Sequence, residues 1–543
     1  MRRGWTRRGV LGGGAAMALG CGGRRAPPRL EGGVLGPDLA ERGHRLRSPF
    51  SPPAEAPAEV ADVVIVGAGV AGLSAAWRLQ RAGFRGAVQI LELADQEGGT
   101  AAWGEGAAGP FALGAHYLTL PSREAAHMRA LLADLGVITS FDADGRPFFD
   151  ESMLCLAPGE RIYAAGEWIE GLWPEPLADA EARAQLADLL ATLDGLKRAV
   201  GSDGRPVFSI PTARSSRDPA HRALAEQRYS DWLDAAGYTS PALRWWAEYA
   251  TRDDYGTSLA DTSAWAGLHY HCARRPDPAD PTDMGTDVLT WPEGNGWLIE
   301  ALLARVPWRP LTGALVRQIE PEAGGARVWW EREGQVHGTR ASAVIAAVPC
   351  RVLDRLTPRP EGPRPDMSPW RVVALTVDQP PASRGVPLAW DSVIYGAESL
   401  GYVSSAHQRG RYGGPTVLSW YQPLAEGAPA ARRQALLSAR WEEEVEATLT
   451  ELEAAHPDIR ARVQRADVMR WGHGTVRPTP GLHAIGALDP LSAPSGAVFP
   501  AHTDNSGLSL FEEASWHGVR AAEEVLAALG APTGPRLADP EGA

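Results

Sequence analysis

Hydrophobic residues change their spacing along the chain, and each change marks an element. Asp62–Val66 is an unbroken β-branched run, the pattern of a short strand buried on both faces of a parallel sheet. Leu73–Ala82 then repeats at helical spacing and stops at Gly83, and Ala87–Leu93 predicts a second strand. Leu315–Ile319 and 343–348 are further apolar runs of strand length. From about 119 to 284 the period becomes helical, with candidate helices at 178–199, 220–236, 241–253 and 258–272. Residues 351–479 mix both periods. Arg371–Val377, Leu400–Ser404 and Pro415–Tyr421 alternate as sheet strands, 431–455 reads as one long charged helix, and a last helix runs to about Leu526. Proline and glycine interrupt 22–57 and 529–543, which predicts a tether before the first strand and a loose tail. The fold class is α/β.

The first strand–helix–strand unit carries chemistry. Gly67-Ala68-Gly69-Val70-Ala71-Gly72 sits at the end of the strand and opens the helix. Gly67 permits the tight turn, Gly69 lets backbone N–H groups approach a pyrophosphate, and Gly72 allows helix and strand to pack closely. Glu92, twenty residues past Gly72 and followed by Leu93, ends the second strand where it can accept ribose hydroxyls. Strand, glycine turn, helix, second strand and acid together predict a dinucleotide site.

Composition narrows the field. The 543 residues suit two domains or one large interleaved unit. A net charge of −13 argues against a nucleic-acid partner. Basic character is almost all arginine, with Lys197 the single lysine. The twenty tryptophans are either packing residues or the lining of an aromatic cavity. Cys21, Cys155, Cys272 and Cys350 are widely spaced without a CxxC pair, so neither a metal site nor a disulfide framework is expected. His269 and His271 look like ligand material, but residues two apart on a helix do not share a face.

The amino terminus reads as a targeting segment. Thr6-Arg7-Arg8-Gly9-Val10-Leu11 resembles a twin-arginine export motif, and the weakly apolar stretch after it is too short to span a membrane. Ala18-Leu19-Gly20-Cys21 resembles a lipobox. Residues 1–21 are thus expected to direct export, leaving either a periplasmic protein or one tethered to the membrane through a lipidated Cys21. Simple cleavage nearby, with Cys21 discarded, is the alternative.

Further motifs resemble those of the flavin-containing amine oxidase superfamily, which includes monoamine and polyamine oxidases with phytoene desaturase and protoporphyrinogen oxidase relatives. These are the GAGVAGLSAA turn, Gly98-Gly99-Thr100, Leu113-Gly114-Ala115-His116-Tyr117, the Thr290–Leu302 entry into a helix, Leu315–Ile319, and Ala341–Pro349. The closing Ala497–Ala514 stretch, running on into a helix, completes the set. The resemblance implies an FAD-dependent oxidoreductase in which a Rossmann-like FAD-binding domain (58–118, 285–350 and 480–528) interleaves with an α+β substrate domain (119–284 and 351–479). It implies that Gly98, Gly99, Thr100, Gly114, Ala115 and His116 line FAD. It also implies that Val316, Val348 and Pro349 meet its adenosine side, and that Asp504 bonds the ribityl chain. Leu510 and Phe511 then start a helix aimed at the flavin ring. The family usually has arginine at Thr100, and glycines where His502 and Glu513 stand. A lysine expected on the strand Arg371–Val377 is missing, which puts oxidation by oxygen in question. Candidate catalytic residues near the flavin are His116, Tyr117, Trp471, His473 and His502. Three activities remain open: hydride transfer to flavin N5 from an amine or other small organic molecule, desaturation of an isoprenoid-like substrate, or flavin binding without turnover. Oxygen or an electron carrier would be the acceptor. NAD-dependent transfer is a fourth alternative.

Overall fold

The β-branched run becomes a strand because it has no polar face to offer. In the computed structural model, which describes residues 30–53, 58–275, 287–359, 362–410 and 413–538, the first strand of the dinucleotide unit is Ala58–Val66, and Val63, Val64 and Ile65 have no exposed surface. Its parallel neighbours are Val88–Leu91 on one side and Gln335–Ala346 on the other, with Ala343–Ala346 in register with Val63–Val66. The sheet continues antiparallel through Gly325–Arg332 to Leu315–Glu322, while Val498–Pro500 pairs with the end of Gln335–Ala346. The opening helix Val70–Arg81 and the closing helix Phe511–Ala528 lie against each other on this sheet. A methyl group at Gly518 would come within 2.1 Å of the Ala71 carbonyl oxygen, so only glycine permits that approach. Three stretches separated by hundreds of residues therefore converge on one glycine turn.

A second sheet of eight strands stands beside the first. Its order is Glu31–Val34, Val463–Val476, Met367–Val377, Thr416–Pro423, Tyr402–Ser404, Asp391–Ile394, Glu160–Ala164 and Glu167–Glu170. The helices Ala180–Arg198, Pro241–Tyr255 and Ala264–Cys272 build a separate aromatic core around Phe208, Tyr229, Tyr255 and Trp265.

The differences from the sequence pattern have local causes. Residues 431–455 form two helices, Pro429–Ser438 and Trp441–Glu453, because Ala439 and Arg440 are extended. Residues 220–236 break into Pro219–Arg222, Ala223–Glu226 and Tyr229–Ala235. The helix expected over 258–272 starts only at Ala264, since the Ser263 N–H is spent on the Pro478 carbonyl and its hydroxyl caps the next turn. Part of the 22–57 tether is ordered: Glu31–Val34 adds to the sheet edge in parallel with Arg465–Val468, and Leu39–His44 is a helix. The tail is also held. The buried Arg78 donates to the carbonyls of Thr533 and Pro535 at 2.6 and 2.9 Å, and Trp516 donates to Ala538 at 2.9 Å. Cys21 and the twin-arginine motif lie outside the described residues. Among the described residues no helix is long and apolar enough to cross a membrane.

Several histidines are packed inside this frame without charge. Burial pulls His127 and His456 down to about 4, and His269 and His483 down to about 3. Each has a folded value below its unfolded one, so the unfolded chain takes up protons first as pH falls through about 6.5. Stability should be complete above that point and be lost toward pH 4. A melting series from about pH 7 to about pH 5 is expected to show a falling Tm, and a flat profile would contradict the burial of neutral imidazoles.

Candidate active site

The glycine turn is tight in two places and open in one. Gly67 has φ +100°, and a Cβ there would lie 2.4 Å from the Ala347 oxygen; one at Gly72 would lie 2.0 Å from the Gly67 oxygen. At Gly69 the nearest atom to a Cβ is 3.8 Å away, on Gly99, so this glycine faces free space. Gly98 donates to the Ala68 carbonyl at 3.0 Å, placing the Gly98-Gly99-Thr100 segment across the same opening. Ala71 is buried in the first helical turn. No side chain caps the helix at Gly69, so its first N–H groups keep the positive end of the helix dipole available. Glu92 clamps the turn from the other strand: its carboxylate accepts from the Ala68 N–H at 2.7 Å and the Ala94 N–H at 2.8 Å. Burial pushes this carboxyl up, against those two hydrogen bonds. Ala314 donates to the Glu92 carbonyl at 2.7 Å, which brings the strand bearing Val316 beside Leu93. Donor set and free space together fit an extended dinucleotide diphosphate.

The middle and closing stretches meet at one carboxylate. Val348 and Pro349 follow the end of the central strand, and the N–H of the next residue, Cys350, donates to Asp504 Oδ2 at 2.8 Å. His502 Nδ1 lies 2.9 Å from Asp504 Oδ1. Burial pushes the Asp504 carboxyl up, but His502 and Cys350 outweigh it and leave it at about 2. One oxygen of Asp504 is thus committed to the protein, and His502 is its partner in the turn Thr503–Asn505. Leu510 and Phe511 begin the closing helix with no side-chain cap. Glu513, where a glycine was expected, accepts from the Thr212 N–H at 2.6 Å and from the Ser506 hydroxyl at 2.5 Å. Burial raises it to about 7. It ties the helical turn Thr212–Arg214 to the closing helix.

Ala115 is exposed between the partly exposed Gly114 and His116, and the residues after it form an aromatic wall. The His116 ring lies 4.5 Å from Tyr421, 5.6 Å from Trp390 and 5.5 Å from Tyr117. Its Nδ1–H donates to the Gly114 carbonyl at 3.2 Å, which leaves Nε2 as the acceptor; burial lowers the ring to about 4, so it is neutral near pH 7. Tyr421 donates to the same carbonyl at 3.0 Å, and Trp471 donates to the Leu113 carbonyl at 2.8 Å. Trp471 therefore positions this segment. His473, two residues on, has His44, Arg47, Arg351 and Arg433 as its charged neighbours and stands apart from the His116 group.

Beyond Tyr117 lies a set of acids absent from the sequence candidates. The Tyr117 hydroxyl donates to Asp253 at 3.3 Å and Asp254 at 3.2 Å, and Arg274 pairs with Asp254 at 2.9 Å. Tyr270 donates to Asp253 and Tyr249 to Asp391, each at 3.3 Å. Burial first, then neighbouring acids, pushes Asp253 up to about 7 and raises Asp391 well above the carboxylate range; burial also raises Glu160. Asp253 and Asp391 are partly exposed and Glu160 is exposed, and the three lie within electrostatic range of one another. Tyr249 and Asp253 are four residues apart, and that helical spacing beside four aromatics was a signal that could have found them. His269 and His271 diverge, one bonding the Ser209 carbonyl and the other stacking on Trp246. Among the described residues no group of histidine, cysteine and acid side chains could hold a metal. Lys197 sits by His271 and Cys272 on the helical side.

Residues 70–526 match the family model for flavin containing amine oxidoreductases. The chain belongs to this family. Membership makes the dinucleotide FAD. A protein of Mycobacterium tuberculosis described as a flavin-containing monoamine oxidase, AofH, is 28% identical over 53% of this chain and 57% of its own length. The chain thus matches little more than half the length of that curated relative. A putrescine oxidase solved with putrescine (18% identical, TM-score 0.60) aligns over 87% of this chain and 100% of that one. Cyclohexylamine oxidase from Brevibacterium oxydans (19%, TM-score 0.60) covers 87% and 99%. A fatty acid isomerase from P. acnes (15%, TM-score 0.56) covers 84% and 97%. At these identities the likeness speaks for the fold.

Two glycine variants separate binding from folding. Gly69→Ala should fold with a melting temperature near the parent's and purify with little flavin, since its methyl enters the space the diphosphate needs. Gly67→Ala should be destabilised by more than about 1 kcal/mol through its positive φ and the Ala347 clash. Visible absorbance and a melting curve on each variant check both.

Proposed function

We propose that this protein oxidises a small cationic amine with FAD, and that the buried acids behind Tyr117 are what select the cation. The observation that carries the reading is an imbalance of charge. Asp253, Asp254, Asp391 and Glu160 are grouped behind Tyr117, and Arg274 is the guanidinium paired with Asp254. Such carboxyls are costly to ionise when buried, and an incoming ammonium group removes that cost. FAD, when bound, supplies the two-electron acceptor for the substrate C–H bond. The chain's own side chains do the rest. Tyr117, Trp390 and Tyr421 present rings to the substrate and exclude water, and the ring faces suit a cation. His116 offers Nε2 as a neutral hydrogen-bond acceptor. A carboxylate with a raised pKa, such as Asp253 or Asp391, is a stronger proton acceptor than an ordinary one and can take the ammonium proton.

A desaturase acting on an isoprenoid-like substrate fits less well, because a wholly apolar ligand would leave these acids without a counter-ion. The missing lysine on Met367–Val377 bears on the acceptor, which is oxygen or an electron carrier. Export through the twin-arginine pathway, to the periplasm or to a membrane anchor at a lipidated Cys21, belongs to the same proposal. It rests on Thr6–Leu11 and Ala18–Cys21, and the mass of the mature amino-terminal peptide tests it.

Anaerobic mixing with a panel of amines should bleach the flavin, and admission of oxygen with a peroxide assay identifies the acceptor. Asp253→Asn is expected to raise KM for a charged amine by about tenfold or more while changing kcat less. In the parent, KM should rise as pH falls through about 7, where Asp253 takes up its proton; the variant should lose much of that slope. Unchanged KM and pH profile would remove the acids from substrate recognition.

A further inference from the structure

The segment before the first strand is placed across the edge of the dinucleotide site, and it is tied down on both sides of it. Glu31–Val34 belongs to the substrate-side sheet through Val463–Val476, and Leu35 continues the pairing by donating to the Val468 carbonyl at 2.8 Å. The Leu35 side chain packs in the cluster of Ala102, Phe111, Leu113, Met469 and Trp471, directly under the segment that leads to Ala115. The chain then crosses to the other domain. A methyl group at Gly43 would stand 3.6 Å from Leu93, the residue after Glu92. Arg42 grips Asp95 with two bonds of 2.9 and 3.2 Å, and Leu46 packs with Val64, Leu91 and Val316. Arg45 pairs with Glu331. Arg317 also pairs with Glu331, donates to the Ser48 carbonyl at 3.2 Å and lies over the Phe50 ring.

Twenty residues thus run from the strand beneath the flavin end to the adenosine end. The anchors of this segment are a strand pairing and an apolar contact on the substrate side, and two arginine–carboxylate pairs and an apolar contact on the dinucleotide side.

We infer that residues 31–50 are a clasp over the bound FAD, locking the two sheets together across the cofactor's edge. Release of FAD then requires the clasp to lift, because Leu35 and the Arg42–Asp95 and Arg45–Glu331 pairs span the exit. The inference rests on the flavin-binding fold and is independent of which substrate the enzyme takes.

The test uses the full chain carrying FAD and reads cofactor release from the rise in free-flavin fluorescence. Arg42→Ala/Arg45→Ala, which cuts the anchors on the dinucleotide side, and Leu35→Ala, which loosens the anchor on the substrate side, are each expected to release FAD about tenfold faster than the parent. The parent's release should quicken with added salt, which screens the two ion pairs, and the Arg42/Arg45 variant should respond less. Hydrogen exchange on unmutated protein guards against a folding defect: amides of 31–50 should be protected in the FAD-loaded protein and exchange faster in the flavin-stripped protein. Parental release rates in both folded variants, or equal exchange of 31–50 with and without FAD, would overturn the clasp. Bleaching by amines plays no part in either readout, so failure of the substrate proposal would leave this result standing.

Discussion

The structure depends on backbone meeting backbone at van der Waals limits around the glycine turn. Gly67 abuts the Ala347 oxygen, Gly72 abuts the Gly67 oxygen, and Gly518 abuts the Ala71 oxygen. Each contact joins a different part of the chain: the central strand, the opening helix itself and the closing helix. No side chain could be interposed, so the relative position of the three is fixed by peptide geometry and not by adaptable packing. The N–H groups of the opening helix and the Asp504 carboxylate are placed by the same contacts. Precision at the cofactor is thus a by-product of how the domain is closed.

The substrate side works by the opposite principle. There the residues are large, polar and buried, and their charges do not balance. Desolvation penalises the charged form of a carboxyl, which is why Asp253, Asp391 and Glu160 have raised pKa values. Under the proposed function an ammonium group offsets that cost. The aromatic rings around them contribute shape and a face for positive charge but cannot neutralise an acid. Geometry fixed by glycine and chemistry fixed by unbalanced acids therefore divide the site between cofactor and substrate.

The cofactor half was legible from sequence because its determinants are local. A strand, a GxGxxG turn and an acid twenty residues on each leave a signature within one segment. Gly67 and Gly72 are sterically obligatory and Gly69 is open, as the motif predicts, while Glu92 and Asp504 accept from backbone N–H groups of the protein. The substrate half was not, because its determinants are pairings between distant elements. Asp253 acquires meaning only when Tyr117 arrives from 136 residues away, and Asp391 only when Tyr249 does. His473 and Trp471 looked alike as flavin-near residues, yet one joins a basic group around Arg351 while the other bonds the Leu113 carbonyl. Sheet register, invisible in the sequence, sends them to different neighbours.

The two misread ends share a cause, and it also accounts for the arginine bias. Proline- and glycine-rich segments carry no period, so 31–50 and 529–538 gave no sign of order. What orders them is multidentate arginine. Arg78 satisfies Glu523, Thr533 and Pro535 from one buried guanidinium, and Arg317 holds Glu331, the Ser48 carbonyl and the Phe50 ring together. Arg161 does the same within the second sheet, bonding Ser383, Val386, Ser392 and Tyr402 while its plane lies 3.9 Å from Trp168. Lysine presents a point charge with no planar fork and could not reproduce any of these sets. Losing one partner of such a buried pair costs about 3–5 kcal/mol, comparable to a large part of a domain's net stability. Arginine is then more than a compositional habit here: it converts segments with no intrinsic secondary structure into fixed parts of the fold.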